Sequence, residues 1–232
     1  MTDRQRPPLT TLVHQKAFRM VPSKYPPISL FDDVADQADF DALYAVQARV
    51  NPRIRDELGE ISRVPAAERP FGIRGCHYAM APFTHLNPDG SRFSNGDFGV
   101  FYCARERIGA VDETVYHMQK WLGYTRMEPQ EISMRCLKAD FTATGLDIRS
   151  DDWAGHGYHD PDDYSHSRQL GLSARREQRD GIFYRSVRRA GTDCFALLTP
   201  RVLHSVIQAS HYGYVWNGDT IETVYEKRVI KR

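Results

Sequence analysis

Apolar residues recur at the spacing of a helical face in two stretches of the chain. In the first stretch the steps are three, three and four residues, at Phe40, Leu43, Val46 and Val50. This spacing predicts an amphipathic helix, which Asn51-Pro52 is suited to end. Three prolines precede it between Val21 and Ile28, and they predict an extended loop because proline removes backbone donors.

The second predicted helix runs from Ala110 to Leu122. Its buried face comprises Val115, Met118 and Leu122. Asp112 and Glu113 then fall in the first turn, where the helix macrodipole favours a carboxylate. Because these two residues are adjacent rather than three or four apart, they do not face each other, and a paired-carboxylate mechanism is not expected.

Short apolar runs and alternating patterns predict the strands. Gly99 to Ala104 is predicted to form a short buried strand after the turn-rich loop HLNPDGSRFSNGDFG. A longer strand has apolar residues at Ile132, Met134 and Cys136. The alternation then continues one residue out of phase, at Leu137, Ala139 and Phe141. This change of phase predicts a β-bulge.

Further strands are predicted in the C-terminal part of the chain. The candidates are Ile182 to Ser186, Cys194 to Leu198, Tyr212 to Trp216 and Ile221 to Tyr225. Asn217-Gly218, between the last two, is a strong hairpin signal. Before them, SHSRQLGLSARREQR predicts an exposed helix in the second half of the polar stretch from Ser150 to Asp180. Because strands outnumber helices and do not alternate regularly with them, the sequence predicts an α+β fold.

Composition and charge narrow the function classes. The chain has 232 residues, of which 41% are hydrophobic, and this is enough for one sizeable core, so we expect a single domain over residues 1–232. Lysine plus arginine total 31 and aspartate plus glutamate 30, so no overall field indicates nucleic acid or a membrane. The segment from Met1 to Thr11 lacks the apolar run of a signal peptide, and we expect a cytoplasmic location.

Cysteine and histidine residues do not form a recognised metal or redox motif. The cysteines are Cys76, Cys103, Cys136 and Cys194, far apart and without a Cys-x-x-Cys pair, which predicts buried free thiols. Histidines and aspartates cluster between His156 and His166, but their spacing matches no known site, so we predict a hydrated polar loop and no metal. The glycine motifs of Rossmann and P-loop proteins are absent from the sequence.

Four residues lie in motifs of a more specific kind. They are Arg92 in SRFSNG, Tyr102 in GVFYCA, Glu113 in AVDETVYHM and Ser186 in FYRSVRR. In this order and context, Arg92, Glu113 and Ser186 resemble the arginine, glutamate and serine that name the RES-domain toxins of bacterial toxin–antitoxin pairs. The similarity includes AFRMVPSKYPPISLFD near the start and GTDCFALL near the end, so it covers a core from Phe18 to Tyr225.

This resemblance implies an ADP-ribosyltransferase-like fold, in which a split mixed β core with peripheral helices holds NAD without Rossmann glycines. It implies an enzyme that degrades NAD, or transfers its ADP-ribose, and that an Xre-type helix-turn-helix antitoxin blocks. NAD is then the substrate, and no cofactor is expected. The resemblance assigns no role to the stretch from Ser150 to Asp180.

The chemistry of NAD cleavage suggests a role for each motif residue. Breaking the nicotinamide–ribose bond produces an oxocarbenium-like sugar, and Glu113 is the candidate for the negative charge that stabilises it. Arg92 and Arg19 are candidates for binding the pyrophosphate, because a guanidinium offers two parallel hydrogen bonds. Tyr102 is a candidate for stacking on nicotinamide, and Ser186 for orienting Glu113 or a ribose hydroxyl. Salt bridges, helix-start capping and core packing are their ordinary structural alternatives.

Three functions are open at this stage. In the first, water or phosphate captures the sugar cation, as in an NAD glycohydrolase or phosphorylase. The second is ADP-ribosyl transfer onto a protein or nucleotide, which differs only in the acceptor. The third is a non-catalytic module that binds nucleic acid or a nucleotide through RREQR and VRRAG, although the balanced net charge disfavours direct nucleic-acid binding. The oligomeric state is also open, a homo-oligomer included.

Overall fold

The computed structural model describes residues 6–23, 36–39, 41–42, 60–228 and 230. The strands within these residues are β1 (Leu9–Pro22), β2 (Phe101–Ala104), β3 (Gln130–Asp147), β4 (Gly181–Arg185), β5 (Asp193–Leu197), β6 (Leu203–Trp216) and β7 (Ile221–Lys227). The longer helices are α1 (Cys76–Thr84), α2 (Arg107–Tyr124) and α3 (Ser165–Arg176). Single 3-10 turns lie at residues 61–63, 66–68, 151–153, 157–159 and 200–202.

The described strands form one mixed sheet in the order β1-β2-β5-β4-β3-β6-β7. Among the described strand pairs, β3 and β4 are parallel and the others are antiparallel. β1 also pairs with β3 along most of its length, so the first five strands of this order close into a ring. The ring closes at Phe18, which is paired with Ala104 of β2 and Lys138 of β3. The predicted α+β class, with a mixed β core and peripheral helices, is confirmed.

The two faces of the sheet carry separate cores, because side chains alternate between faces along each strand. In β4, Phe183 packs in the first core, whereas Ile182 and Tyr184 pack in the second. In β5, likewise, Phe195 packs in the first core and Cys194 in the second. Helix α1 covers the first core, and helices α2 and α3 cover the second. The second core therefore supports the side of the sheet on which Glu113 lies.

The register shift predicted after Cys136 is present, but its extra residue lies in the partner strand. Cys136 is paired with Ser210 and Leu137 with Gln208, so Ala209 of β6 is left between them. β3 itself keeps a regular alternation: Cys136 faces the second core and Leu137 the first. The apolar phase changes because β3 buries one face along its first half and the other face along its second half.

Helix α2 begins at Arg107, three residues before the predicted start, with Glu106 as its N-cap. The placement of Glu113 in the first turn is therefore wrong, and so is that of Asp112. Gly109 does not interrupt the helix because it allows close packing: a Cβ there would overlap the side chain of Thr192. The macrodipole falls off within the first turn, so it does not account for the state of the Glu113 carboxylate.

Helix α3 confirms the helix predicted in the polar stretch, but the prediction that it is exposed is wrong on one face. That face is formed by Ser167, Leu170, Gly171 and Ala174, which are buried. Gly171 lies against the backbone of Phe93, where a Cβ would overlap the carbonyl oxygen. Small residues thus let a polar helix approach the loop that carries Arg92, a pattern that hydrophobic periodicity does not detect.

Other predictions are met in part at the two ends of the chain. The hairpin at Asn217-Gly218 is confirmed, because β6 and β7 pair antiparallel on either side of it. The sequence pattern does not predict β1, whose first half is exposed and largely polar; the predicted loop from Val21 begins only after this strand ends at Pro22. The first predicted helix lies outside the described residues at its apolar positions, Phe40, Leu43, Val46 and Val50.

The remaining features concern the thiols and the membrane. All four cysteines are buried and free, as predicted. Within the described ranges, no helix is both long enough and apolar enough to cross a membrane.

Candidate active site

The side chains of Glu113 and Ser186 meet between helix α2 and the end of β4. Ser186 Oγ donates a hydrogen bond to Glu113 Oε1 at 2.5 Å, across 73 positions of sequence. Ser186 is 8% exposed, so the contact is largely shielded from water. A short, shielded hydrogen bond of this kind fixes the orientation of the carboxylate.

The loop after β4 is built around the same hydroxyl. Ser186 Oγ accepts hydrogen bonds from the backbone N–H groups of Arg188, at 3.1 Å, and Arg189, at 3.0 Å. The Ser186 N–H in turn donates to the carbonyl of Thr192 at 2.9 Å. A hydroxyl has one proton and two acceptor positions. Because the two N–H groups fill the acceptor positions, the proton of Ser186 is directed to Glu113.

A second carboxylate of helix α2 holds the same loop. Asp112 Oδ2 accepts a hydrogen bond from Arg189 Nη1 at 2.8 Å. Gly109, one turn earlier, packs against Thr192 at the other end of the loop. Adjacent carboxylates on α2 therefore have different partners: Asp112 anchors the loop, whereas Glu113 receives the serine hydroxyl.

Tyr102 positions the SRFSNG loop through its hydroxyl. The Phe93 N–H donates to Tyr102 Oη at 2.9 Å, and Ser91 Oγ lies 2.8 Å from the same oxygen. Burial raises the pKa of Tyr102 to about 12, so the phenol stays protonated at neutral pH. Its ring packs on the second core, within electrostatic reach of Arg92.

Arg92 is buried, with 6% exposure, and it is not the surface salt bridge that was its ordinary alternative. Its Nη1 donates to the carbonyl of Asp160 at 2.8 Å and to that of Tyr158 at 3.3 Å. Its Cζ atom lies 4.5 Å from the centre of the Tyr164 ring. A guanidinium in this site is thus held by backbone dipoles and an aromatic face, without a carboxylate of its own among the described contacts.

Arg19 contacts one predicted site residue, Tyr102, through the backbone of that residue. Its Nη1 donates to the carbonyl of Tyr102 at 2.9 Å, and its guanidinium lies 5.1 Å from the Phe101 ring, on the face of the first core. Burial lowers the pKa of Arg19. Its part in NAD binding stays a prediction.

Two buried residues that interact electrostatically with Glu113 are not among the residues predicted from the sequence. Tyr184 packs edge-on against Phe93 at 5.1 Å, and its pKa is raised by burial and then by the charges of Cys194 and Glu113. Burial, followed by the charge of Glu113, raises the pKa of Cys194 in the same way. Aromatic residues and cysteines inside a strand ordinarily indicate core packing, so no sequence signal separates these two from the core.

The predicted site residues do not include His117, although its spacing from Glu113 could have indicated it. It follows Glu113 by four positions, which places both on one side of helix α2. His117 is exposed at the surface, but desolvation of its ring by neighbouring side chains lowers its pKa to about 4, and the positive charges of Arg188 and Arg92 contribute to the shift. The imidazole is therefore neutral at neutral pH, and it is a neighbour of both arginines.

The His and Asp residues between His156 and His166 form a hydrogen-bonded loop. Asp160 Oδ1 accepts the N–H groups of Asp162 and Asp163, at 2.9 and 2.7 Å. In the part of the chain that the structure describes, no group of three or more His, Cys, Asp or Glu residues is placed to hold a metal ion.

A separate cavity of about 280 Å³ lies between the 3-10 turns and α3. Its charged residues are already paired: Arg175 Nη1 lies 3.4 Å from Glu68 Oε2, which also accepts the Thr199 hydroxyl at 2.9 Å. The motif residues described above do not line this cavity. It therefore adds nothing to the chemistry around Glu113.

Comparison with known proteins gives one family and two relatives. The family model for the RES domain matches residues 69–217, a segment that contains Arg92, Tyr102, Glu113 and Ser186. The uncharacterised protein y4oC of Sinorhizobium fredii (strain NBRC 101917 / NGR234) is 30% identical over 214 residues, covering 92% of this chain and 88% of that protein. Among solved structures, a chain of the M. tuberculosis MbcT–MbcA toxin–antitoxin complex aligns over 84% of both chains, with 13% identity and a TM-score of 0.45.

Proposed function

Because the chain belongs to the RES domain family, we propose that it cleaves the nicotinamide–ribose bond of NAD and is the toxin of a toxin–antitoxin pair. The observation that carries the proposal is the hydrogen bond from Ser186 to Glu113; the buried guanidinium of Arg92 acts on the same neighbour of Glu113, Tyr184. These residues supply a fixed negative charge and a phosphate-binding group in one site, as NAD cleavage requires.

The reaction needs no general acid. When the bond between C1′ of the ribose and the pyridinium nitrogen breaks, both electrons go to nitrogen, and nicotinamide leaves as a neutral molecule. The ribose becomes an oxocarbenium ion, which the Glu113 carboxylate stabilises. Water then adds to C1′ and loses a proton, giving ADP-ribose; phosphate as the acceptor gives ADP-ribose 1-phosphate.

Ser186 acts as a positioning residue in this mechanism. Its proton is directed to Glu113 Oε1, and among the described residues no hydrogen bond involves Oε2. The carboxylate is therefore held by one oxygen while the other stays available to face the sugar. Preorganisation of this kind lets the charge act without rearranging as the oxocarbenium ion forms.

The other site residues would bind and orient NAD. We assign Arg92 to the diphosphate, and the ring of Tyr102 to the nicotinamide side, where its hydroxyl also holds the SRFSNG loop. An Xre-type helix-turn-helix antitoxin in the same bacterial cytoplasm is the partner that the family resemblance implies. ADP-ribosyl transfer onto a protein or nucleotide is the alternative, since it would use the same site with another acceptor.

Products formed from NAD by the purified protein test the proposal. Hydrolysis predicts nicotinamide and ADP-ribose in equal amounts, phosphorolysis predicts ADP-ribose 1-phosphate when phosphate is present, and transfer predicts ADP-ribose attached to an acceptor. Expression of the wild-type protein should lower the NAD content of the host and stop its growth. A folded wild-type protein that releases no nicotinamide, with or without phosphate and a bacterial extract as acceptor, would overturn the proposal.

A further inference from the structure

Two arginines from different loops donate hydrogen bonds to the same backbone segment, residues 158–162, which we term the strap. Arg92 of the SRFSNG loop donates to the carbonyls of Tyr158 and Asp160. Arg188, two residues after Ser186, donates through Nη2 to the carbonyl of Pro161. The carbonyl oxygens of the strap are therefore directed at two guanidinium groups.

Arg188 is itself set into the site. Its Cζ atom lies 3.3 Å from the centre of the Tyr116 ring, and its side chain is 14% exposed. Tyr116 follows Glu113 by three positions, so the guanidinium lies beside the helix face that carries the carboxylate. The backbone N–H of Arg188 is one of the two that bind Ser186 Oγ, which ties its position to the Glu113 contact.

The hydrogen-bonding capacity of Arg188 is not fully used. Among the described residues its Nε atom is buried and has no hydrogen-bond partner. Nε and Nη2 together form the side of a guanidinium that binds two oxygens of a phosphate or carboxylate in parallel. Among the described residues, Nη2 donates to one carbonyl oxygen, that of Pro161, and Nε has no acceptor.

Neither Arg92 nor Arg188 forms an ion pair with a buried carboxylate among the described residues. Arg92 and Arg188 both act on His117, which places them around one space next to α2. The strap has two carboxylates. Asp160 accepts the N–H groups of Asp162 and Asp163, and Asp162 is 72% exposed and lies 4.0 Å from Arg188 Nη2. Asp162 also accepts a hydrogen bond from Tyr116 at 2.6 Å. Buried guanidinium groups are ordinarily paired with anions, so this space is suited to a ligand with two negative charges.

We infer that Arg188 and Arg92 together bind the diphosphate of the dinucleotide substrate, and that the strap occupies this anion site until the diphosphate displaces it. The inference rests on the proposed function for the identity of the substrate. The ligand class is a nucleoside diphosphate: its two phosphates match two guanidinium groups, and its oxygens replace the strap carbonyls and Asp162. Arg188 is thus a substrate-binding residue, and the strap is a competitor of the substrate.

ADP is the probe for this site, because it carries the diphosphate without the scissile bond. Calorimetric titration of the full chain should show ADP binding to the wild type, and binding about tenfold or more weaker to Arg188→Lys, which keeps the charge but loses the parallel hydrogen bonds. Arg185→Lys is the matched control, since Arg185 ends β4 just before this loop but pairs with Asp151 at the surface. It should bind ADP as the wild type does.

The role of the strap is tested by neutralising Asp162, the strap carboxylate that lies 4.0 Å from Arg188 Nη2. Asp162→Asn should bind ADP several-fold more tightly than the wild type, whereas Asp152→Asn, a change at an exposed aspartate outside the strap, should not. Asp162 is exposed, so this variant should fold even if Arg188→Lys does not, and thermal melting will show which proteins are folded. A purely structural Arg188 would change the melting temperature and leave the ADP affinity of the folded protein unchanged.

The outcomes separate this inference from the proposed function. Equal ADP affinities for the wild type, Arg188→Lys and Asp162→Asn, or no ADP binding by the wild type, would overturn the inference even if NAD is cleaved. Arg188-dependent ADP binding without release of nicotinamide from NAD would support the anion site and overturn the proposed reaction. If the anion site and the proposed reaction are both correct, Arg188→Lys should raise KM for NAD. It should not raise KM for nicotinamide riboside, which has the same scissile bond but no phosphate for Arg188 to bind.

Discussion

Glu113 and Arg92 both act on the buried Tyr184, but their surroundings differ in what must change when a substrate enters. Glu113 is held by Ser186, whose acceptor positions are filled by two backbone N–H groups of its own loop. Arg92 is held by carbonyl groups of the strap, which belong to a loop outside the sheet. The charge that would act on the sugar is therefore preorganised, whereas the groups that would bind the phosphates first exchange their partners.

This difference assigns separate kinetic effects to the two regions. Interactions that exist only in the transition state change kcat, and interactions made equally with the bound substrate change KM. Variants around Glu113 should therefore lower kcat, and variants around Arg92 should raise KM. The following predictions test that separation.

Ser186→Ala should lower kcat for NAD cleavage by roughly tenfold to a hundredfold, because Glu113 loses its hydrogen-bond donor and the loop loses its central acceptor. KM should change little. Steady-state release of nicotinamide measures both constants. Ser173→Ala, which removes a serine hydroxyl bonded to Glu177 on helix α3, serves as the control. A Ser186→Ala enzyme with wild-type kcat would show that the hydroxyl does not position Glu113.

Arg92→Lys should raise KM for NAD by about tenfold with a much smaller change in kcat, because lysine keeps the charge but cannot make two parallel hydrogen bonds. The same kinetic assay, supported by titration of NAD, measures the effect. Arg201→Lys, at an exposed arginine paired with Asp180, is the control. If Arg92→Lys bound NAD with wild-type affinity, Arg92 would have to be removed from the substrate site.

Tyr102→Phe should reduce activity only a few-fold, since the ring remains and only its hydrogen bonds to Phe93 and Ser91 are lost. Tyr102→Ala should lose activity and also stability, by less than the roughly 3–5 kcal/mol of a fully buried aromatic ring, because Tyr102 is partly buried. Thermal melting must accompany the kinetics to separate the two effects. A stable and fully active Tyr102→Ala protein would rule out a role for the ring in binding.

The smallest expected effect is a pH dependence that arises from His117. Its pKa is about 4 in the folded protein, below the usual value of about 6.5, so between these values the unfolded chain binds more protons. The stability that neutral His117 provides is therefore complete above pH 6.5 and is lost as the pH falls toward 4. The melting temperature should drop more between pH 7 and pH 5 for the wild type than for His117→Gln. Equal drops would show that the folded protein does not depress this pKa.

The sequence indicates Glu113, Ser186 and Arg92 as site residues, but not the strap or Arg188. Glu113 and Ser186 lie in short motifs on a regular helix and strand, so their types and order could be recognised. The strap could not be predicted because its carbonyl groups are used through the backbone, which carries no residue-type signal. Arg188 lies in the predicted motif FYRSVRR, yet three arginines in that motif are alike in the sequence, and only the fold distinguishes the buried one.

The helix boundary shows a similar limit. Gly109 in the first turn of α2 disfavours a helix by propensity, and its close packing on Thr192 outweighs that cost only in the folded structure. The predicted macrodipole support for Glu113 was wrong for this reason. What holds the carboxylate is Ser186, 73 positions away in the sequence.

The rate of nicotinamide release by Glu113→Gln, compared with the wild type at saturating NAD, tests the central claim most directly. The substitution removes the charge and keeps the shape, so NAD binding and the melting temperature should be nearly unchanged. We predict that kcat falls by roughly two to three powers of ten, because the carboxylate acts on a cation present only near the transition state. Asp112→Asn, at the neighbouring carboxylate that binds Arg189, should lower kcat far less. Release of nicotinamide by Glu113→Gln at the wild-type rate would contradict the account.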